Sequence, residues 1–211
     1  DYPNHKLTAA LRFHAGDALV WAGDLTDAKS QFDLVVAAGD AQWADDALRG
    51  KLQVAVRLKD HAAIDRLSDR FAERFPDSPL QSDVRRMLVR SLIQREEHQR
   101  AVEILEPMLD ADEEPETLDE ERYLLSLAYA GIGRHQDALD VLSPVSEATP
   151  GKLRDDALLA RASMLMKLQR FAEAIGPLEE ALAAGPAGDD AVGSLGNLAI
   201  CHAQTGRLDK A

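Results

Sequence analysis

The sequence predicts an all-α protein built as an α-solenoid, a stack of similar helical pairs, and two observations predict it. First, six positions spaced by 36, 37, 37, 36 and 37 residues stand in similar local sequence; they are Ala28, Ile64, Ala101, Ala138, Ala174 and Ala211. A constant period of about 20 to 50 residues is typical of repeated units that share a core. Second, each period contains two segments with apolar residues three and four apart, which is the pattern of a helix with one buried side.

The apolar spacing and the turn signals together place the helices. The predicted pairs are 5–22 and 25–38, 41–58 and 61–74, 79–95 and 98–110, 117–132 and 135–147, and 152–168 and 171–184, followed by 189–205 and a stub. Ser78-Pro79 and Thr117 are predicted N-terminal caps, since each is followed by Gln or Glu three residues on. Phe75-Pro76, Thr149-Pro150 and Gly185-Pro186 are predicted helix stops.

The composition argues against several classes of partner. The 211 residues carry a formal net charge of −13, whereas nucleic acids and anionic lipids favour basic surfaces. No apolar run approaches the ~18 residues that a membrane-spanning helix needs. Cys201 is the only cysteine, so no internal disulfide can form. We predict that Cys201 is a small core residue, because a reactive thiol would need an electropositive setting.

Two clusters of potential metal ligands have simpler explanations. The stretch 110–121 holds eight carboxylates and is predicted to be a solvated loop that leads into a helix N-terminus. The alternative, a calcium site, lacks the alternating Asp pattern and the glycine of such loops. His61, His98 and His135 recur 37 residues apart at the start of second helices. Packed helices lie about 8–10 Å apart, so these three side chains cannot share a zinc ion and are predicted to pack at the turns.

Catalytic patterns have little support in the sequence. Gly131-Ile132-Gly133 is predicted to be a helix-end turn and not a phosphate-binding loop. Ser194 lacks the flanking glycines and the preceding strand of a nucleophile elbow. We therefore predict that the chain is not an enzyme and needs no cofactor.

The repeated unit resembles the tetratricopeptide repeat (TPR), a helix–turn–helix of about 34 residues. The family has an alanine in the second helix, and it matches Ala28, Ala101, Ala138, Ala174 and Ala211, with Ile64 departing. The family's large residue nine positions earlier matches Leu19, Leu92, Tyr129 and Leu165. Its large apolar residue four positions after the alanine matches Phe32, Leu105, Leu142 and Leu178, with Ser68 departing. The longer period is similar to that of divergent bacterial members. A different α-solenoid is the alternative.

The resemblance implies a right-handed superhelix over residues 1–211 as a single segment. Its repeats would be about 5–40, 41–76, 79–113, 117–150 and 152–186, with a partial repeat at 189–211. Tyr2-Pro3-Asn4 is similar to Phe75-Pro76-Asp77, so the chain begins at a seam between repeats, and it ends inside a second helix. We hypothesise that it is a segment of a longer protein.

The resemblance also implies where a ligand would bind, because first helices line the concave face in this family. That register selects Arg49, Gln53, Arg57, Arg86, Arg90, Gln94, Tyr123, Leu127 and Met166, with Phe13, His14, Asp17 and Trp21 in the first repeat. Arginine forks bind carboxylates through two parallel bonds, so we predict a groove for an acidic or C-terminal peptide with an apolar neighbour. In the alternative, these arginines pair with Asp45, Asp46, Asp83 and Glu120 and only solubilise the face.

The sequence is consistent with three classes of function. The first is a non-catalytic scaffold that binds a protein or peptide on the concave face. The second is an architectural spacer or assembly subunit that uses its ends and convex face, including self-association through the exposed solenoid ends. The third is the regulatory arm of a larger enzyme. Arg74-Phe75-Pro76-Asp77 is similar to turns in bacterial cell-envelope members of the TPR family, which favours an envelope or periplasmic location.

Overall fold

Every regular element in the described part of the chain is an α-helix. The computed structural model describes residues 8–39, 42–111, 118–147, 151–185 and 189–207. Its helices are α1 Thr8–Ala22, α2 Leu25–Ala38, α3 Ala44–Leu58, α4 His61–Arg74, α5 Gln81–Gln94, α6 His98–Ala111, α7 Asp119–Gly131, α8 His135–Glu147, α9 Lys152–Lys167, α10 Phe171–Ala183 and α11 Asp189–Gln204. The all-α prediction is confirmed, and the observed helices follow the predicted helices in order.

The chain forms two compact units, residues 1–94 (unit 1) and residues 95–211 (unit 2). In unit 1, consecutive helices pack together, and the first helix α3 also contacts the first helices α1 and α5. In unit 2, consecutive helices from α6 to α11 pack together, and α7 contacts α9. Each unit thus stacks helical pairs so that neighbouring pairs share a core, as in solenoid repeats. The prediction that residues 1–211 form one solenoid segment stays a prediction.

The repeat-marking positions lie where the two helices of a pair cross. Ala28, Ala101, Ala138 and Ala174 are fully buried, and Ile64 is 1% exposed; Ala211 lies outside the described residues. Four residues further along each second helix, the second core position is buried too, including Ser68 where the family has a large residue. In the first repeat, this position is Phe32. Small residues at the crossing let the helices approach closely enough for these side chains to meet the partner helix.

The same tight turn joins the helices of each pair. Five residues before each marker, the backbone is left-handed, at Gly23, Lys59, Glu96, Gly133, Gln169 and Gly206. In the turns that lie within one unit, the next amide donates back to a carbonyl of the first helix, for example from Asp24 to Leu19 at 2.9 Å and from Arg170 to Leu165 at 2.8 Å. This bond closes the first helix in the manner of a Schellman motif. Gly131-Ile132-Gly133 forms one of these turns, as predicted.

The helix predicted to follow Ser78 begins two residues later than predicted. The helix α5 begins at Gln81, and the Ser78 hydroxyl accepts only from the Leu80 amide, at 3.2 Å, while it donates to Asp45 at 2.8 Å. Ser78 therefore bonds the amide two residues on, as an N-cap does, through a turn that leads into α5. Asp60 is a true side-chain cap, since its carboxylate accepts from the Ala63 amide at 3.0 Å. The signals at Thr117, Thr149-Pro150 and Pro186 lie outside the described residues.

Candidate partner-binding surface

The unit 1 residues of the predicted groove lie on three first helices, of which the middle one, α3, contacts both α1 and α5. We define the first-helix face of unit 1 by Asp17 and Trp21 on α1, Arg49, Gln53 and Arg57 on α3, and Arg86, Arg90 and Gln94 on α5. Bonds between the helices bring these positions together. Arg57 donates from Nη1 to the Val20 carbonyl at 2.5 Å, which joins α3 to α1. Arg49 bonds Asp83, which joins α3 to α5.

Asp83 is the internal counter-charge of this face. Arg49 donates from Nε to Asp83 Oδ2 at 2.5 Å, and Arg86 Nη2 lies 3.8 Å from Asp83 Oδ1. The arginine side chains remain 31% and 28% exposed. One of the pairings that the alternative interpretation expected is therefore present. The Nη groups of Arg49 take no part in its bond to Asp83, so they can still donate to a ligand carboxylate.

The face carries an acidic end where α1 meets the start of α3. Burial raises the pKa of the Asp46 carboxyl, and the neighbouring Asp45 and Asp17 raise it further, while Arg49 and His14 oppose the shift. The face is therefore not uniformly basic. Its positive charge lies toward α5, and a carboxylate ligand is favoured there.

Aromatic side chains lie beside the acidic end. The Phe13 ring centroid is 5.1 Å from that of Trp43, 5.9 Å from that of Phe32 and 5.3 Å from that of His14. This cluster anchors α1 on α2 and α3 through close ring contacts. Trp21, by contrast, is 85% exposed at the end of α1. A large apolar ring so exposed can pack against a ligand without any rearrangement of the core.

The three unit 2 residues of the predicted groove are all half-buried. Leu127 lies on α7 and Met166 on α9, and both side chains retain some exposed surface. Tyr123 packs against the core formed by Leu142, Val145 and Ala157. Burial, and secondarily the carboxylate of Asp156, raises the pKa of the Tyr123 hydroxyl. Tyr123 therefore supports the fold of unit 2 as well as its first-helix face.

The histidines occupy the turn positions that the sequence predicts. His61, His98 and His135 each begin a second helix and are half-buried. His61 Nδ1 lies 2.9 Å from the Ser91 hydroxyl, and the His98 ring packs so closely on Gly131 that a Cβ added there would overlap it. In the described ranges, no group of three or more His, Cys, Asp or Glu side chains is placed to hold a metal ion.

Two further predictions concern Cys201 and the membrane. Cys201 is fully buried, which confirms its place in the core, and burial raises the pKa of its thiol. A raised thiol pKa lowers the thiolate fraction and hence the reactivity. Among the helices described, none combines the length and the apolar character needed to cross a membrane.

The structure contains a second kind of surface that the sequence did not predict, which we name the second-helix groove. It lies between two successive second helices, over the first helix between them. Cavities of about 330, 460 and 550 Å³ occupy this position at α2–α3–α4, α6–α7–α8 and α8–α9–α10. Basic residues on successive second helices, such as Lys29, Arg66 and Arg70, were the available signal. The family register instead predicts ligand contacts on the first helices.

The stacked pairs, buried small markers and recurrent turns define a TPR solenoid protein, and a tetratricopeptide-repeat family model matches residues 159–211. A second family model, chemotaxis protein MotC, matches residues 44–164, more than half of the chain. The chain therefore belongs to the MotC family. No curated protein sequence matches it.

Solved structures show the same fold. MamA from Desulfovibrio magneticus RS-1 is 14% identical, with a TM-score of 0.71 over 84% of this chain and 94% of that chain. Another MamA structure is 18% identical, with a TM-score of 0.69 over 85% of this chain and 93% of that one. YrrB, described as a TPR protein with an unusual peptide-binding site, is 19% identical, with a TM-score of 0.70 over 92% and 94%. At these identities, the likeness establishes the fold.

Proposed function

We propose that the chain is a non-catalytic interaction scaffold that binds an extended peptide, acidic or with a C-terminal carboxylate, on the first-helix face of unit 1. The observation that carries the proposal is the arrangement of Arg49 and Arg86 around one carboxylate, Asp83, with both arginine side chains about one third exposed. A ligand carboxylate can bind the Nη donors of Arg49, since its bond to Asp83 uses only Nε and an arginine fork accommodates more than one acceptor.

The remainder of the face supplies the other parts of a peptide site. Gln53 and Gln94 offer amide donors and acceptors for a peptide backbone, and Trp21 offers an exposed apolar ring. In unit 2, the corresponding first-helix face offers Leu127 and Met166 to apolar side chains. YrrB, which shares the fold, is described by its peptide-binding site, and this supports a peptide ligand.

We propose further that this scaffold serves chemotaxis, on the strength of the MotC family match. In a strain that lacks the chromosomal gene, the wild-type gene should restore spreading in soft agar. A gene encoding Arg86→Glu and Arg90→Glu should not restore it, although the protein accumulates normally. Full restoration by that double variant would separate the role in chemotaxis from this face.

A defined probe tests the binding site itself. The probe is a fluorescein-labelled short peptide of alternating Glu and Leu with a free C-terminal carboxylate, and binding is followed by fluorescence anisotropy. Arg86→Glu and Arg90→Glu together should weaken binding about tenfold or more, because each reversal replaces an attraction by a repulsion. Arg85→Glu is the matched control, since Arg85 is the exposed neighbour on the same helix. Equal binding by all three proteins would refute the proposed site.

A further inference from the structure

The second-helix groove of unit 1 carries an excess of basic residues, whereas the two equivalent grooves of unit 2 are acidic or balanced. In unit 1, four basic residues and two acidic residues line the groove: Lys29, Lys51, Arg66, Arg70, Asp33 and Asp60. At α6–α7–α8, one arginine faces three carboxylates, namely Arg134 against Glu106, Asp137 and Asp140. At α8–α9–α10, three arginines face three carboxylates. One groove of an otherwise acidic chain is therefore basic.

The difference in charge is produced at matching positions of the repeat. One residue before the marker, Asp137 and Glu173 in unit 2 are replaced by Ala63 in unit 1. Six residues after the marker, Glu180 of unit 2 is replaced by Arg70. The unit 2 arginines bind carboxylates of their own helices, as in the 2.5 Å bond from Arg134 Nε to Asp137. In the described part of unit 1, Arg66 and Arg70 form no such bond to a carboxylate of their own helix.

Both carboxylates that line the unit 1 groove are already engaged. Asp33 forms an ion pair with Lys51, whose side chain is 11% exposed. Asp60 caps α4 through the Ala63 amide. Across the described ranges, no ion pair reaches Lys29, Arg66 or Arg70, and Asp69 and Glu73, the nearby acids of α4, form none with them. Arg66 and Arg70 lie four residues apart, an arrangement in which like charges repel.

The groove also has an apolar wall. Ala55 and Leu67 are buried beneath it, and Leu58 stands 56% exposed at the end of α3. Ala55 occupies the repeat position that holds the larger Tyr129 and Leu165 in unit 2. A partner segment that carries carboxylates as well as an aliphatic side chain would pair with the basic residues of the groove and cover Leu58 at the same time.

The spacing of the two arginines matches that of alternate side chains in an extended segment. Arg66 and Arg70 are separated along the helix axis by about 6 Å. Alternate residues of an extended chain are separated by about 6.6 Å and point the same way.

We propose that the second-helix groove of unit 1 is a second docking site, distinct from the first-helix face, and that it binds an extended acidic segment of a protein partner. The segment carries carboxylates at alternate positions, which bind Arg66 and Arg70, and an aliphatic side chain that packs on Leu58. Lys29 closes the groove from α2 as a third cation.

The alternating Glu and Leu peptide tests this site by anisotropy, with the full chain. Arg66→Glu and Arg70→Glu together should weaken binding about tenfold or more, and Leu58→Ser should weaken it about threefold to tenfold. Arg85→Glu is the charge control, and circular dichroism confirms that each variant retains its helices. Arg66→Gln with Arg70→Gln should also weaken binding, and it removes the charge without adding a new one.

The outcomes separate this site from the first-helix face. A loss of peptide binding in the Arg66 and Arg70 variants supports the second docking site, whatever the Arg86 and Arg90 variants do. A loss only in the Arg86 and Arg90 variants overturns the second site and leaves the proposed function standing. A labelled single-stranded oligonucleotide is the second probe. If it binds the wild-type chain as tightly as the peptide does, and if the same Arg66 and Arg70 substitutions weaken its binding, the proposal is also overturned, because the groove would then bind any polyanion.

Discussion

A glycine in α3 sets how closely the first two repeats pack. A Cβ at Gly50 would lie 2.6 Å from the Phe32 ring, and a Cβ at Gly16 would lie 2.6 Å from the same ring. Favourable carbon contacts are about 3.5 to 4.0 Å, so either methyl group would be about 1 Å too close. The ring is fully buried between the two glycines, so it cannot retreat from one without meeting the other.

We therefore predict that Gly50→Ala destabilises the protein. Overpacking of this kind costs about 1 to 3 kcal/mol, and the gain in helix propensity returns about 1 kcal/mol. With the cost at the upper end, because both sides of the ring are blocked, the net loss is about 1 to 2 kcal/mol. Gly193→Ala is the matched control, since Gly193 lies inside α11 with nothing within 4 Å of its added Cβ. It should gain about 0.5 to 1 kcal/mol.

The assay is urea unfolding followed by tryptophan fluorescence and by circular dichroism. Both tryptophans, Trp21 and Trp43, lie in unit 1, so fluorescence reports the unit that holds Gly50. In a Phe32→Leu background the ring is gone, and Gly50→Ala should become neutral or stabilising. If Gly50→Ala stabilises the wild-type chain as much as Gly193→Ala does, the Phe32 contact does not limit the packing at Gly50.

Three other predictions concern the left-handed turns, the Tyr129 hydroxyl and the Asp83 carboxylate. Gln169 has left-handed backbone at φ 60°, so Gln169→Gly should raise the free energy of unfolding by about 1 kcal/mol, and Gly133→Gln at the equivalent turn should lower it in the same urea assay. Burial and the 2.6 Å bond to Glu106 raise the pKa of Tyr129 to about 12. Because the folded state holds the hydroxyl proton of Tyr129 more tightly than the unfolded state does, the free energy of unfolding should fall as the pH rises from about 10 to 12. Alkaline unfolding should show a smaller fall in Tyr129→Phe. Asp83→Ala removes a counter-charge from the first-helix face and should tighten binding of the acidic peptide about threefold to tenfold, whereas unchanged affinity would exclude Asp83 as a competitor of the ligand.

The helices could be predicted because their signals are local. The markers Ala28, Ala101 and Ala138 recur in the sequence because each helix crossing needs a small residue, and all three are fully buried. The recurrent left-handed turn could not be found in the same way, since Gly23, Lys59 and other residue types all adopt it. There the backbone conformation repeats, and the side chain does not.

The candidate site was predictable only as a set of positions. The family register placed Arg49 and Arg86 on one face, but their shared pairing with Asp83 depends on how α3 packs against α5. The second-helix groove of unit 1 was missed for a related reason. Its basic character depends on Asp33 being engaged by Lys51 and Asp60 by the α4 backbone, and neither contact is visible in the spacing of the residues.

The most direct test of the proposed function asks where the acidic peptide binds. In a Trp43→Phe variant, Trp21 is the only tryptophan, and it lies 85% exposed on the first-helix face of unit 1. Saturating peptide should shift the Trp21 emission to shorter wavelength and protect it from iodide quenching, with a midpoint equal to that of the anisotropy titration. Peptide binding seen by anisotropy, with Trp21 emission and quenching unchanged, would contradict binding at the first-helix face.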